Sequence, residues 1–259
     1  SGDGAVSFGN FAVANGTNSF AGGLNASANG ANSFVYGSGV TTLFTGNEAV
    51  SMGDRTIASG QGSVAMGSLS EASGDQAVAI GFDNTASGNS STALGGNTQS
   101  SGIGSFAAGN STIASGDGAV SFGNFTIANG TNAFAGGVNA SADGVNSMAF
   151  GNGAVTSAPS AISLGDVTQA TGPGSVAMGE ATIASGDQAV AIGVSNEASG
   201  NASTALGGNT LSSGVASFAA GDGTIASGDA SAAFGNFSFA GGTNALAGGL
   251  STTADGANS

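Results

Sequence analysis

The chain has 259 residues, of which 50 are Gly and only 6% are charged, and its formal net charge is −14. His, Cys and Trp are absent, and Arg55 is the single basic residue. Ser–His, Cys–His and Ser–Lys nucleophiles, disulfides and His/Cys zinc sites are therefore excluded, and a polyanion such as nucleic acid finds no cationic surface. No apolar run approaches the length of a membrane helix, so no membrane contact by this segment is expected. No signal peptide is visible.

Read in order, the chain is one pattern repeated. Ser1-Gly2-Asp3-Gly4 opens as a turn, Ala5 to Phe8 alternates small and large as a strand does, and Gly9 closes it. The period is 14 residues. Units open at Ser1, Asn15 and Asn29, and a two-residue insertion, Leu43-Phe44, precedes the unit at Thr45. From Ser59 to Gly241 every fourteenth residue opens another, 18 in all. A block of eight units lies above this period: SGDGAVSFGNFAVA at 1–14 returns as SGDGAVSFGNFTIA at 115–128. The expectation is one continuous, all-β solenoid over residues 1–259, two short strands per coil, with neighbours in contact. The unit begun at Asp255 is unfinished, as in a piece of a longer protein.

Within a unit the strands are expected at positions four to eight and eleven to fourteen. Position nine is Gly throughout, and Gly9, Gly67, Gly81, Gly123, Gly179 and Gly193 are expected as turn glycines. Position two is Gly except at Ala158, and Pro159 and Pro173 both fall at position three. Positions five and seven are small, Val35 excepted, while six and eight are mostly large. Strand side chains alternate faces, so one face is Ala and Ser and the other an apolar stripe. The stripe includes Val6, Phe8, Phe20, Val64, Met66, Val78, Ile80, Phe106, Val120, Phe122, Phe134, Val176, Met178, Val190, Ile192 and Phe218. A helical reading fails, because so many interior glycines would cost about 1 kcal/mol each.

At a strand spacing of about 4.8 Å, the coils would span roughly 85 Å. The stripe would then cover on the order of 800 Å², more than the roughly 300–600 Å² usual for a monomer's largest patch. Its side chains are too large for an interior of Ala and Ser, so they are expected to meet copies of themselves in a closed cyclic assembly. Large and small also trade places: Phe20 goes with Gly22, Phe106 with Ala108, Phe134 with Gly136 and Phe218 with Ala220. Such compensation is expected of a confined space.

The segments SGQGSVAMG at 59–67 and SGDQAVAIG at 73–81, each followed by a small-residue strand ending in Ala, resemble the head repeats of trimeric autotransporter adhesins, also called haemagglutinin/invasin-type repeats. The resemblance covers essentially the whole chain. It implies a left-handed parallel β-roll, three rolls about one axis, and an extracellular, cell-surface fibre anchored through sequence not present here. It also implies a host or matrix surface ligand, with this homotrimer as the chain's own partner. Similar repeats occur in phage tail fibres and other filaments, which is the alternative reading.

The remaining residues are weaker signals. Acids at position three (Asp3, Asp75, Asp117, Asp187, Asp229) and ten (Asp54, Asp166, Glu180, Asp222) read as solvated turn residues, so no metal, cofactor or enzymatic site is expected. Phe11, Phe125, Phe237 and Phe239 lie outside the stripe and read as packing against a neighbouring chain or as a surface contact. Position twelve carries a recurring Thr, including Thr56, Thr112, Thr126, Thr168, Thr182, Thr210, Thr224 and Thr252, which raises an ice-binding solenoid as a further alternative. That function needs an outward Thr array, whereas position twelve shares a face with the Ala at fourteen and is expected to point inward.

Overall fold

The structure, a computed structural model, describes residues 2–43 and 45–259. Ser1 and Phe44, the opening residue of the first unit and half of the insertion, lie outside the described residues. Two compact units divide the chain, Ser1–Asn132 and Ala133–Ser259. Each is a β-solenoid of nine coils, and each coil contributes one long and one short strand, such as Val64–Ser68 with Glu71–Ala72. No helix occurs among the described residues. Long strands pair in parallel with long strands, position for position: Val78 with Val64 and Thr92, Ile80 with Met66 and Leu94. Short strands do the same, Glu71 pairing with Ile57 and Thr85. The insertion does not disturb this register, since Phe34 pairs with Val50 and Thr41 with Ile57. Its described residue, Leu43, stands exposed at the corner.

The strands lie later in each coil than the alternation predicts. They occupy positions six to ten and thirteen to fourteen, because positions four and eleven adopt left-handed backbone. Asn18 has φ 55° and Asn25 φ 52°, and the same two corners recur along the chain. Asn tolerates this region, which is why it is common there. Other residues do not: Val167 at φ 52° and Phe125 at φ 55° hold it against their own preference.

The glycines at position nine are not turn residues. Gly67, Gly81, Gly123, Gly179 and Gly193 lie inside the long strands, and only Gly9 follows its strand, Val6–Phe8. Two constraints fix them. Their φ is positive, +131° at Gly81, and a Cβ there would fall on the carbonyl oxygen of Gly95 in the next coil. Position two is constrained by approach alone: a Cβ on Gly60 would meet the Gly74 carbonyl. Ala158 is the one exception there, and its corner opens slightly. The bond from Ser157 N–H to Ala170 is 3.4 Å, against 2.9 Å from Thr171 N–H to Ala184.

Each interior is thin and filled by small side chains. Ala65, Ala79, Ala93, Ala177, Ala191 and Ala205 are wholly buried, as is the larger pair Val35 and Val40. Some polar members find partners inside, while others, such as the hydroxyls of Ser63, Thr112 and Thr182, have none. Ser51 and Ser163 face Thr56 and Thr168 across their coils, hydroxyl to hydroxyl, at 2.9 and 2.7 Å. Ser105 donates to the Gly102 carbonyl at 2.7 Å. Stacking thus substitutes a thin core of Ala, Ser and Thr, joined coil to coil by backbone hydrogen bonds, for the large apolar core of an ordinary domain.

Candidate functional site

The stripe at positions six and eight emerges on the outer side of the long sheets. None of its sixteen residues named above is buried: Phe8 is 51% and Ile80 39% exposed, while the Ala residues between them are wholly enclosed. The cause is the strand itself, since position seven must point into an interior wide enough only for Ala or Ser, which turns six and eight outward. In the first three coils the stripe is mainly aromatic. Phe20 stacks on Phe34 with centroids 4.8 Å apart, and Phe8 meets Phe20 edge-on at 5.3 Å. Gly22 explains part of the large-for-small trade: a Cβ there would lie 2.7 Å from the Phe8 ring and 3.0 Å from the Tyr36 ring. Rings from the coils on either side close over it, so the compensation runs between coils as well as within one. At Gly248 no atom lies within 4 Å of such a Cβ.

The corners carry the other sequence-predicted residues. Phe11, Phe125 and Phe237 sit at position eleven, in a left-handed turn rather than the expected second strand, with φ of 57°, 55° and 53°. All three are exposed. The Phe237 ring lies over Gly223, and Phe239, in the short strand Phe239–Ala240, lies over Gly241. The position-three acids do more than meet solvent. Asp75, Asp117 and Asp229 each accept the backbone N–H of the same position one coil earlier, from Gln61, Ile103 and Val215 at 3.0, 2.9 and 2.9 Å. Asn89 and Asn201 serve Asp75 and Asp187 in the same way. Pro159 and Pro173 occupy this position at no loss, having no N–H to cap. Among the described residues no group of three metal-capable side chains comes together.

Sequence reasoning passed over two residues. Asn84 and Asn196 stand where other coils carry Thr, Ala, Ser or Val, and both are buried. The Asn84 amide donates to the Ile80 and Gly95 carbonyls at 2.7 and 2.8 Å, and its oxygen accepts from the Thr98 N–H and hydroxyl at 2.9 and 2.7 Å. Asn196 repeats all four bonds with Ile192, Gly207 and Thr210. The signal available was an Asn followed one coil later by Thr, occurring twice at the eight-coil interval.

Thr56, Thr112, Thr126, Thr168, Thr182, Thr210 and Thr224 are buried, and Thr252 is half-buried. Position twelve therefore presents no outward Thr array of the kind ice binding needs.

Comparison with curated proteins gives no match. Comparison with family models gives the YadA head domain repeat, in two-copy matches over residues 1–26, 45–70 and 72–98 and in overlapping matches from 100 to 210. The overlapping matches advance by about one coil at a time, as the 14-residue period requires. With well over half its residues matched in step with its own coils, the chain belongs to the YadA head domain repeat family, a head-type segment of trimeric autotransporter adhesins.

Proposed function

We propose that this chain is a segment of a homotrimeric extracellular fibre that attaches a cell to a surface and performs no catalysis. The carrying observation is the outward stripe. Val64, Met66, Val78 and Ile80 in one unit, and Val176, Met178, Val190 and Ile192 in the other, stack in apolar columns on an interior that has no space for them. Three copies facing one axis would remove these columns from water, at about 25 cal/mol for each Å² buried. Membership of the head-repeat family supports both the number three and display outside the cell. The surface ligand is not basic-patch driven, because Arg55 is the only cation and pairs with Asp54 at 3.2 Å.

Light scattering and native mass spectrometry of the chain across a range of concentrations test the assembly. Three chains per particle are expected, and a soluble monomer at high concentration would overturn the proposal. Attachment is read separately, as retention of the trimer on cell- or matrix-coated surfaces compared with a bare one. Equal retention on both would remove the adhesive role while leaving the fibre.

A further inference from the structure

Position ten closes every long strand after the first, two residues beyond the stripe. It is apolar at five places, Leu24, Phe82, Val138, Val194 and Leu250, and is Asn, Ser, Asp, Glu or Gly in every other coil. The five fall in the second, sixth, tenth, fourteenth and eighteenth coils, so the interval is four coils each time. All five are exposed, by 42 to 72%. Each stands alone in a polar column. Phe82 pairs with Ser68 and Gly96, Val194 with Glu180 and Gly208, and Val138 with Asn152. The eight-coil duplication relates Leu24 to Val138 and Leu250, and Phe82 to Val194, but not Leu24 to Phe82, whose strands FAGGL and VAIGF differ at both stripe positions.

A repetitive interface has a problem of level. In the coils at 64–80 and 176–192, sliding one chain along another by one coil, about 4.8 Å, replaces Val and Ile by other Val and Met and costs little. Glycine-rich, repetitive strands specify register weakly unless something marks it. We infer that Leu24 and Phe82 in the first unit and Val138, Val194 and Leu250 in the second are that mark: in each unit, apolar knobs beside the stripe that seat against the same unit of a second copy of this chain and hold the copies level. The inference rests on the trimeric reading proposed above. A copy of the chain is the occupant because only a surface with the same coil rise offers a matching place every four coils. A slip of one to three coils sets the knobs against the level of Asn152, Asp54 or Glu180, leaving apolar surface in water and a carboxylate beside it. A slip of four coils restores the match but forfeits four coils of overlap.

The test uses the full chain, which has no cysteine, with Gln99→Cys on the exposed face of a short strand carrying a spin label. Electron–electron distance measurement on the parent should give one narrow inter-chain distance. The variant with all five knobs changed to Ser should remain three chains by light scattering, while its distance distribution splits into two or more populations. The control Ile103→Ser/Val145→Ser/Val215→Ser, equally exposed apolar residues at position three, should keep the single distance. The inference is overturned if the five-serine variant keeps the parent's single narrow distance, if it falls to monomers, or if the control broadens as much. A parent with no inter-chain distance would instead refute the trimer itself, and the knobs with it.

Discussion

Asn84→Asp replaces the side-chain NH2 by an oxygen and leaves the volume nearly alone. In the parent that amide reaches two carbonyl oxygens, of Ile80 and Gly95, at 2.7 and 2.8 Å. An ionised carboxylate would aim a lone pair at both, in a wholly buried site of a chain whose single cation, Arg55, is exposed and paired elsewhere. The new group therefore keeps its proton, and its folded pKa rises above the unfolded value of about 3.9. Below that pH both states are protonated, and the variant lacks one of two donors, a deficit of about 1 kcal/mol. Above it the unfolded chain releases the proton and the folded chain does not. The deficit then grows by about 1.4 kcal/mol per pH unit until the folded pKa is reached. With the proton kept to pH 7 the added deficit is about 4 kcal/mol, close to a thousandfold in the local opening equilibrium. Hydrogen exchange at the Thr98 amide and its coil neighbours, as the ratio of variant to parent from pH 4 to 7, isolates this from the titration of the other acids. A ratio flat in pH, or one that grows toward acid, refutes the account of the site. Asn84→Thr, the commonest residue at that position, should show no pH trend.

Gly81→Ala should lower the melting temperature sharply, since a Cβ meets the Gly95 carbonyl and φ is +131°; the backbone strain alone is about 1–3 kcal/mol. Gly96→Ala in the next long strand, where the nearest atom is Asn110 Oδ1 at 3.6 Å, should melt like the parent. In the assembled oligomer, Gly136→Phe should overpack by about 1–3 kcal/mol per site, and Val190→Asp should do worse by burying an unpaired carboxylate. Ile183→Asp, on the short strand Ile183–Ala184, should be mild; the reverse ranking would invert the assignment of faces. Val167→Asn should raise the melting temperature, relieving a β-branched residue at φ 52° by about 1 kcal/mol.

By itself the sequence determined the repeat, the two-strand coil, the small interior and the outward stripe, because each is an alternation of side-chain size at a fixed period. Val64-Ala65-Met66 can be sorted into faces with no coordinates, and Thr112 is placed inside by the Ala114 beside it. Tertiary structure decided what depends on the coil above or below. Whether Gly81 turns the chain or lies within a strand is settled by the Gly95 carbonyl against it, not by any residue near it in sequence. The shift of the strands toward positions ten and thirteen follows from two left-handed corners, which residues as unlike as Asn25, Phe125 and Val167 adopt because the stacked coils impose them. Asp75 becomes a cap only because Gln61 lies one coil away with its N–H uncovered. Asn84 becomes a four-bond bracket only because Thr98 is stacked on it. Local propensity carries no information about contacts one period apart, and in a solenoid those contacts fix the details that the period leaves open.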